Sequence, residues 1–224
     1  MKVIDISGSI YTGMWSYADY YPKFELSAVE FEFGGEKYSV DVFKGMHSQV
    51  GTYMETPHIF TQEGKPGGLN AIPVEKLFMI DAYVIKIPHE SLGIKDNRPF
   101  ISLEDIKNSE RGPIPEGTAV LVGTGYGKNW DKPDYISKAW FFKKEALYYL
   151  IDKKPFLLGG DSPVWENEKN PEGAFERFYS AGILLMAPCV NLESVNKFRI
   201  KLTVLPLKVL KAAVCPVRAV IVEE

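Results

Sequence analysis

Polar and apolar residues alternate with period two over Glu30-Phe31-Glu32-Phe33 and again over Lys37-Tyr38-Ser39-Val40, with Gly34-Gly35 between them. Strand alternation around a two-glycine turn predicts a β-hairpin. Val3 to Ile6 reads as a short strand. Met79 to Ile87 and Ala119 to Gly123 are apolar and rich in β-branched residues, as strands covered on both faces should be. Helical spacing appears in two places. Ser102-Leu103-Glu104-Asp105 fits a capping box, in which a hydroxyl and an acid each satisfy an unpaired backbone donor. From about Lys143 to Asp152, Ala146, Leu147, Leu150 and Ile151 share a helical face, and the run stops before Pro155. Phe156-Leu157-Leu158-Gly159-Gly160 follows as a buried strand, so strand, helix and strand between 119 and 160 predict a parallel unit. Strands return at Thr203 to Leu207 and Val217 to Val222. The pattern predicts an α/β fold in which residues 1–224 form a single domain, with a mixed central sheet or barrel-like strands and flanking helices.

One segment concentrates chemistry. If residues 47 to 55 are extended, His47, Gln49, Gly51, Tyr53 and Glu55 project to one face. Pro57 then ends the strand and aims His58, and a strand end is where open α/β sheets place ligands. Asp161 follows the glycines of a buried strand and is either a second acid facing a ligand or, before Ser162-Pro163, a turn former. Trp15, Tyr17, Tyr20 and Tyr21 form an early aromatic cluster that could line a pocket or pack a core. His89, after Pro88 in a polar stretch, is expected to face solvent.

Composition narrows the partners. The chain has 224 residues, 46% hydrophobic and 25% charged, the balance of an ordinary globular protein. A formal charge of -3, with no basic cluster interleaved with aromatics, argues against nucleic acid and for a small-molecule ligand. No apolar run approaches the roughly 20 residues of a membrane span. The first residues lack a signal-peptide core, so a cytoplasmic location is the expectation. Cys189 and Cys215 have no metal or redox spacing and are expected to be reduced and buried.

Gly51-Thr52-Tyr53-Met54-Glu55-Thr56-Pro57-His58-Ile59-Phe60 resembles the signature of the cyclase family, which includes kynurenine formamidases and is written HxGTHxDxPxH. Leu121-Val122-Gly123-Thr124-Gly125-Tyr126 resembles the family's strand ending in Thr-Gly-aromatic. Leu158-Gly159-Gly160-Asp161-Ser162-Pro163 is similar to its Gly-Asp-Ser/Thr-Pro turn. Asn191-Leu192, Leu205-Pro206-Leu207-Lys208 and Pro216-Val217-Arg218-Ala219 match its closing segments in order. The resemblance implies a swivelling β/α/β fold, a homo-oligomer, and a hydrolase that opens small amides, formamides (as arylformamidases do) or lactones. Its water would be activated by a divalent metal, zinc or manganese.

On that alignment the ligand positions fall on Gln49, Tyr53, Glu55 and Ile59, then near Phe175 and on Ala187. A zinc or manganese site wants imidazole, thiolate or carboxylate in a set of three or four. Only Glu55 keeps that type and Gln49 is a weak neutral ligand, so these two are the metal candidates and the set argues against an ordinary site. The resulting assignment makes Glu55 the catalytic base or metal ligand, His58 a proton relay and Tyr53 an oxyanion donor. Gln49, His47, Asp161 and Trp15 are then the substrate contacts. Two other readings stay open: a non-catalytic ligand-binding or regulatory member without the metal, and a metal-free acid/base lyase or cyclase.

Overall fold

The computed structural model describes residues 1–60 and 68–224. Its strands are β1 (Lys2–Asp5), β2 (Glu25–Phe33), β3 (Glu36–Lys44), β4 (Tyr53–Glu55), β5 (Ile80–Lys86), β6 (Gly93–Lys95) and β7 (Arg98–Ile101). They continue with β8 (Ala119–Gly123), β9 (Phe141–Phe142), β10 (Leu157–Gly160), β11 (Leu184–Ala187), β12 (Arg199–Pro206) and β13 (Val214–Glu223). The helices are α1 (Leu103–Ser109), α2 (Lys144–Asp152) and α3 (Ala174–Ser180).

Eight strands form one sheet in the order β1-β13-β12-β5-β8-β10-β11-β4, and a further pairing of β4 with β13 closes seven of them into a barrel. The middle is parallel, from β5 through β8 and β10 to β11. β12, β13 and β4 join it antiparallel. This is the mixed, barrel-like α/β architecture the sequence predicts, including the parallel unit made by β8, α2 and β10. The strands read as nearly continuous apolar runs because both faces are covered. Ala119 and Leu121 of β8 point into the barrel with Met54, Met186, Leu202 and Ala219. Val120 and Val122 point outward onto Ile106 of α1 and Leu147, Leu150 and Ile151 of α2.

The helix ends follow their local chemistry. Ser102 accepts from the Asp105 amide while Asp105 accepts from the Ser102 amide at 2.8 Å, which is the capping box. α2 starts at Lys144, whose amide donates to Glu172 at 2.9 Å. α3 starts at Ala174, whose amide donates to Glu166 Oε1 at 3.0 Å. Each acid satisfies a donor the helix cannot, and does so at the positive end of the helix dipole.

The hairpin is longer than its sequence core. Phe33 pairs with Glu36, leaving Gly34-Gly35 as a two-residue loop with φ of +62° and +81°, a geometry that favours glycine at both positions. Opposed residues share a face. Val29 with Val40 and Phe31 with Tyr38 therefore lie on one side, and Glu30 with Ser39 and Glu32 with Lys37 on the other. The apolar side is exposed.

One local expectation is corrected. Residues 47 to 55 are not a continuous strand: Val50 N donates to His47 O at 3.3 Å to close a turn, and Gly51 adopts φ +74°. A left-handed residue breaks extended alternation, so only Tyr53–Glu55 pairs as a strand. Among the described residues no helix is long and apolar enough to cross a membrane.

β4 has only three residues, yet it is hydrogen-bonded to both β11 and β13, and Met54 at its centre is fully buried inside the barrel. Met54→Ala is expected to cost about 2–5 kcal/mol through lost packing and a residual cavity. Equilibrium urea unfolding checks this, with the midpoint falling and the slope unchanged.

Candidate active site

Strand alternation sends Met54 into the barrel and its neighbours Tyr53 and Glu55 out toward the helical layer. There they form the floor of a cavity of about 450 Å³, together with Gln49, Tyr17 and the outward residues Leu185 and Ala187 of β11. α3 supplies one wall through Phe175 and Tyr179, four residues apart and so on the same helical face. Ile59 and Phe60, which follow β4, and the segment from Pro163 to Glu168 complete it. The volume suits a small organic molecule, and the lining is mainly apolar and aromatic.

Glu55 is 4% exposed and its two carboxylate oxygens each accept a short hydrogen bond. Gln49 Nε2 donates to Oε1 at 2.7 Å, and the Tyr179 hydroxyl donates to Oε2 at 2.6 Å. Gln49 is itself oriented, because the Tyr21 hydroxyl donates to its Oε1 at 2.7 Å and leaves its N–H for Glu55. Tyr179 lies between Phe60 and Phe175, with ring centroids 6.1 and 5.7 Å away and interplanar angles of 22° and 15°. That stack aims its hydroxyl at the carboxylate. The Tyr53 and Tyr17 hydroxyls share a further hydrogen bond of 2.8 Å.

Burial pushes the Glu55 carboxyl above the ordinary glutamate range, against the pull of its hydrogen bonds from Tyr179 and Gln49. Burial also pushes the Tyr17, Tyr53 and Tyr179 phenols upward, so all three remain protonated donors at neutral pH.

The residues do not fit the metal that the family resemblance implies. The residues at or near the positions aligned with family ligands, Gln49, Tyr53, Glu55, Ile59, Phe175 and Ala187, line this one cavity, and they offer a single carboxylate among neutral or apolar groups. Among the described residues no group of three or more His, Cys, Asp or Glu could hold a metal ion. The donor geometry agrees: Gln49 turns its N–H, not its carbonyl, toward Glu55, which is the wrong polarity for a shared cation.

Other sequence candidates lie elsewhere. His47 does not line the cavity; its ring stacks on Tyr21 with centroids 4.7 Å apart, behind the residue that orients Gln49. Burial lowers its pKa. His58 sits in the single turn Pro57–Ile59 and likewise stays out of the lining, whereas Ile59 enters it, so a one-residue displacement decides which side chain faces the ligand space. Trp15 packs among Trp130, Tyr135 and Tyr17 outside the cavity, and only Tyr17 of that cluster reaches it. His89 is half-buried against Tyr126, 5.2 Å between centroids, rather than out in solvent, because its position after Pro88 folds back onto the core. Cys189 and Cys215 are free and buried, as expected. Tyr179 and Trp165 line the cavity without having been signalled by any motif, and Phe60, at the end of the motif segment, was not singled out; for Tyr179 the available clue is its four-residue spacing from Phe175.

Asp161 is also outside the cavity and has no exposed surface. It accepts from the Thr124, Gly125 and Tyr126 amides at 2.8, 2.7 and 3.0 Å and from Trp140 Nε1 at 2.9 Å. Burial pushes its pKa up to about 6 against these donors. Its position joins the ends of the parallel neighbours β8 and β10, so it is a structural node rather than a ligand contact. Asp161→Ala strands those donors and is expected to cost about 3–5 kcal/mol, read by urea unfolding, while Asp161→Asn keeps the shape and costs less.

Comparison with known proteins agrees with the fold. The Cyclase family model matches residues 4–167. An isatin hydrolase solved with the product analogue thioisatinate superposes with a TM-score of 0.80 at 20% identity, over 100% of this chain and 93% of that one. Isatin hydrolase A from Labrenzia aggregata, bound to benzyl benzoate, gives 0.79 at 17% identity over 98% and 93%. A potential metal-dependent hydrolase with cyclase activity gives 0.73 at 21% identity over 100% and 99%. At these identities the solved structures speak for the fold. No curated protein sequence matches. With the family model spanning well over half of the sequence, the chain belongs to the cyclase family.

Proposed function

We propose that this protein is a cyclase-family hydrolase that opens a small planar amide, formamide or lactone without the metal its family uses. The observation that carries the reading is Glu55: a buried carboxylate on the floor of a small-molecule cavity, held by two neutral donors and shifted upward by burial. A base with a raised pKa is better matched to proton transfer near neutral pH than an ordinary glutamate. The substrate body lies along Phe175, Phe60 and Trp165, with its carbonyl toward Tyr53. Glu55 takes a proton from water as the oxygen attacks the carbonyl carbon. The Tyr53 O–H, backed by Tyr17, donates to the developing oxyanion. The intermediate collapses with cleavage of the C–N or C–O bond, and the proton held on Glu55 passes to the leaving nitrogen or oxygen.

A second reading, ligand binding without turnover, is favoured by one specific feature. Both Glu55 oxygens already accept bonds of 2.6 and 2.7 Å, which a general base would have to keep while accepting a proton. The two readings separate on a panel of small lactones, formamides and cyclic amides. The hydrolytic reading predicts turnover that chelators do not reduce and that Glu55→Gln lowers by about 100-fold or more. The rate constant rises with pH through an inflection above the ordinary glutamate range, because the base works ionised and its ionisation is disfavoured by burial. The same shift has the opposite sign for stability: the folded state favours the protonated carboxyl, so the Glu55 contribution is full at low pH and is lost as pH rises through its raised value. Absence of turnover across the panel, or a Glu55→Gln variant as active as wild type, defeats the hydrolytic reading.

We also propose that the chain forms a homo-oligomer through the β2-β3 ribbon. A two-stranded ribbon is marginal alone, and a contiguous apolar face of Val29, Phe31, Tyr38 and Val40 is self-complementary in a twofold contact. Light scattering should give a multiple of the 25.2 kDa chain mass, and Phe31→Lys with Val40→Lys should return it to one chain. A monomeric wild type contradicts this.

A further inference from the structure

Among the described residues, no cationic side chain lines the cavity to balance the charge on its floor. Among them, Glu55 is met by two neutral donors, one per oxygen. A carboxylate offers about four lone-pair sites, so two remain for a ligand. Among the described lining residues there is no lysine, arginine or histidine, and the mouth adds Glu166 and Glu168. Glu168 is paired with Arg98, whose Nη1 lies 3.6 Å away while its Nε and Nη2 donate to the Ala139 and Ile136 carbonyls at 2.9 and 3.4 Å, so the pairing is spent at the rim and not on Glu55. The walls are aromatic: Tyr179 stands nearly parallel to Phe60 and Phe175, and Trp165 lies in the same lining.

A buried carboxylate beneath aromatic faces is a poor place for an anion and a good one for an N–H-bearing cation, which gains from both the charge and the ring quadrupoles. Unlike a metal ion, such a cation needs no closed set of three or four ligands. We infer that the cavity binds a flat aromatic cation, of the arylamidinium or arylalkylammonium class, seated on Glu55 where the family would hold its metal. This rests on the reading above that the cavity is the ligand site. A cation seated there takes the place of the attacking water, so it regulates the site as a competitive inhibitor.

The test uses three isosteric probes, benzamidinium, benzamide and benzoate, titrated calorimetrically into the full-length protein at neutral pH. The inference predicts that benzamidinium binds at least about 10-fold more tightly than benzamide and that benzoate does not bind measurably. Glu55→Gln, with its thermal unfolding checked, should bring benzamidinium to the level of benzamide. Phe60→Leu, at a largely exposed position and with its thermal unfolding checked in the same way, should weaken benzamidinium more than benzamide. Benzoate binding as tightly as benzamidinium, a charge preference that survives Glu55→Gln, or no binding by any probe overturns the inference. Benzamidinium binding to a protein that turns over no substrate supports it while defeating the hydrolytic reading alone.

Discussion

The closure of the barrel by three residues governs the rest of the molecule. β4 must pair with β11 on one side and with β13 on the other, since without it the sheet would have two open edges. That double pairing fixes the direction of each β4 side chain. Met54 fills the barrel, while Tyr53 and Glu55 are held outward under α3 with little freedom to turn away. Glu55 is therefore buried by the backbone's hydrogen-bonding requirement, and its surroundings had to evolve donors to keep it there. Gln49 and Tyr179 are those donors.

One structural neighbour is described as a potential metal-dependent hydrolase, and a divalent cation is one means of stabilising a buried carboxylate. Here the neutralising role is spread over two uncharged donors, each positioned by a second contact. Tyr21 orients the Gln49 amide, and the Phe60 and Phe175 rings orient Tyr179. Two neutral hydrogen bonds stabilise a carboxylate less than a divalent ion does, which fits the upward shift of Glu55. The aromatic residues that hold Tyr179 are also cavity walls, and with Ile59 and Ala187 they leave this part of the lining apolar.

Much of this was legible in the chain. Apolar runs at 79 to 87, 119 to 123 and 156 to 160 identify β5, β8 and β10 because doubly covered strands need no polar face. Ser102 and Asp105 announce α1, and Gly34-Gly35 the hairpin. The Gly-Thr frame and Glu55 also pointed to a segment that lines the cavity. The backbone between 47 and 51 was not legible, since alternation is blind to a glycine that takes positive φ; Gln49 reaches Glu55 across a turn rather than along a strand. Asp161 could not be told from a ligand contact, because its amide donors at 124 to 126 are some 35 residues away in sequence. α3 escaped notice because its seven residues are too short for a periodic signal, and with it Tyr179, the partner that most shapes the chemistry.

The central claim, that Glu55 stands as a hydrogen-bonded carboxylate in a site not built for metal, is tested most directly by following its carboxyl carbon by NMR across pH, with and without one equivalent of manganese(II). The account predicts a midpoint above the ordinary glutamate range and a resonance that stoichiometric manganese leaves sharp. A midpoint within the ordinary range, or a Glu55 signal broadened away by one equivalent of the ion, would contradict it.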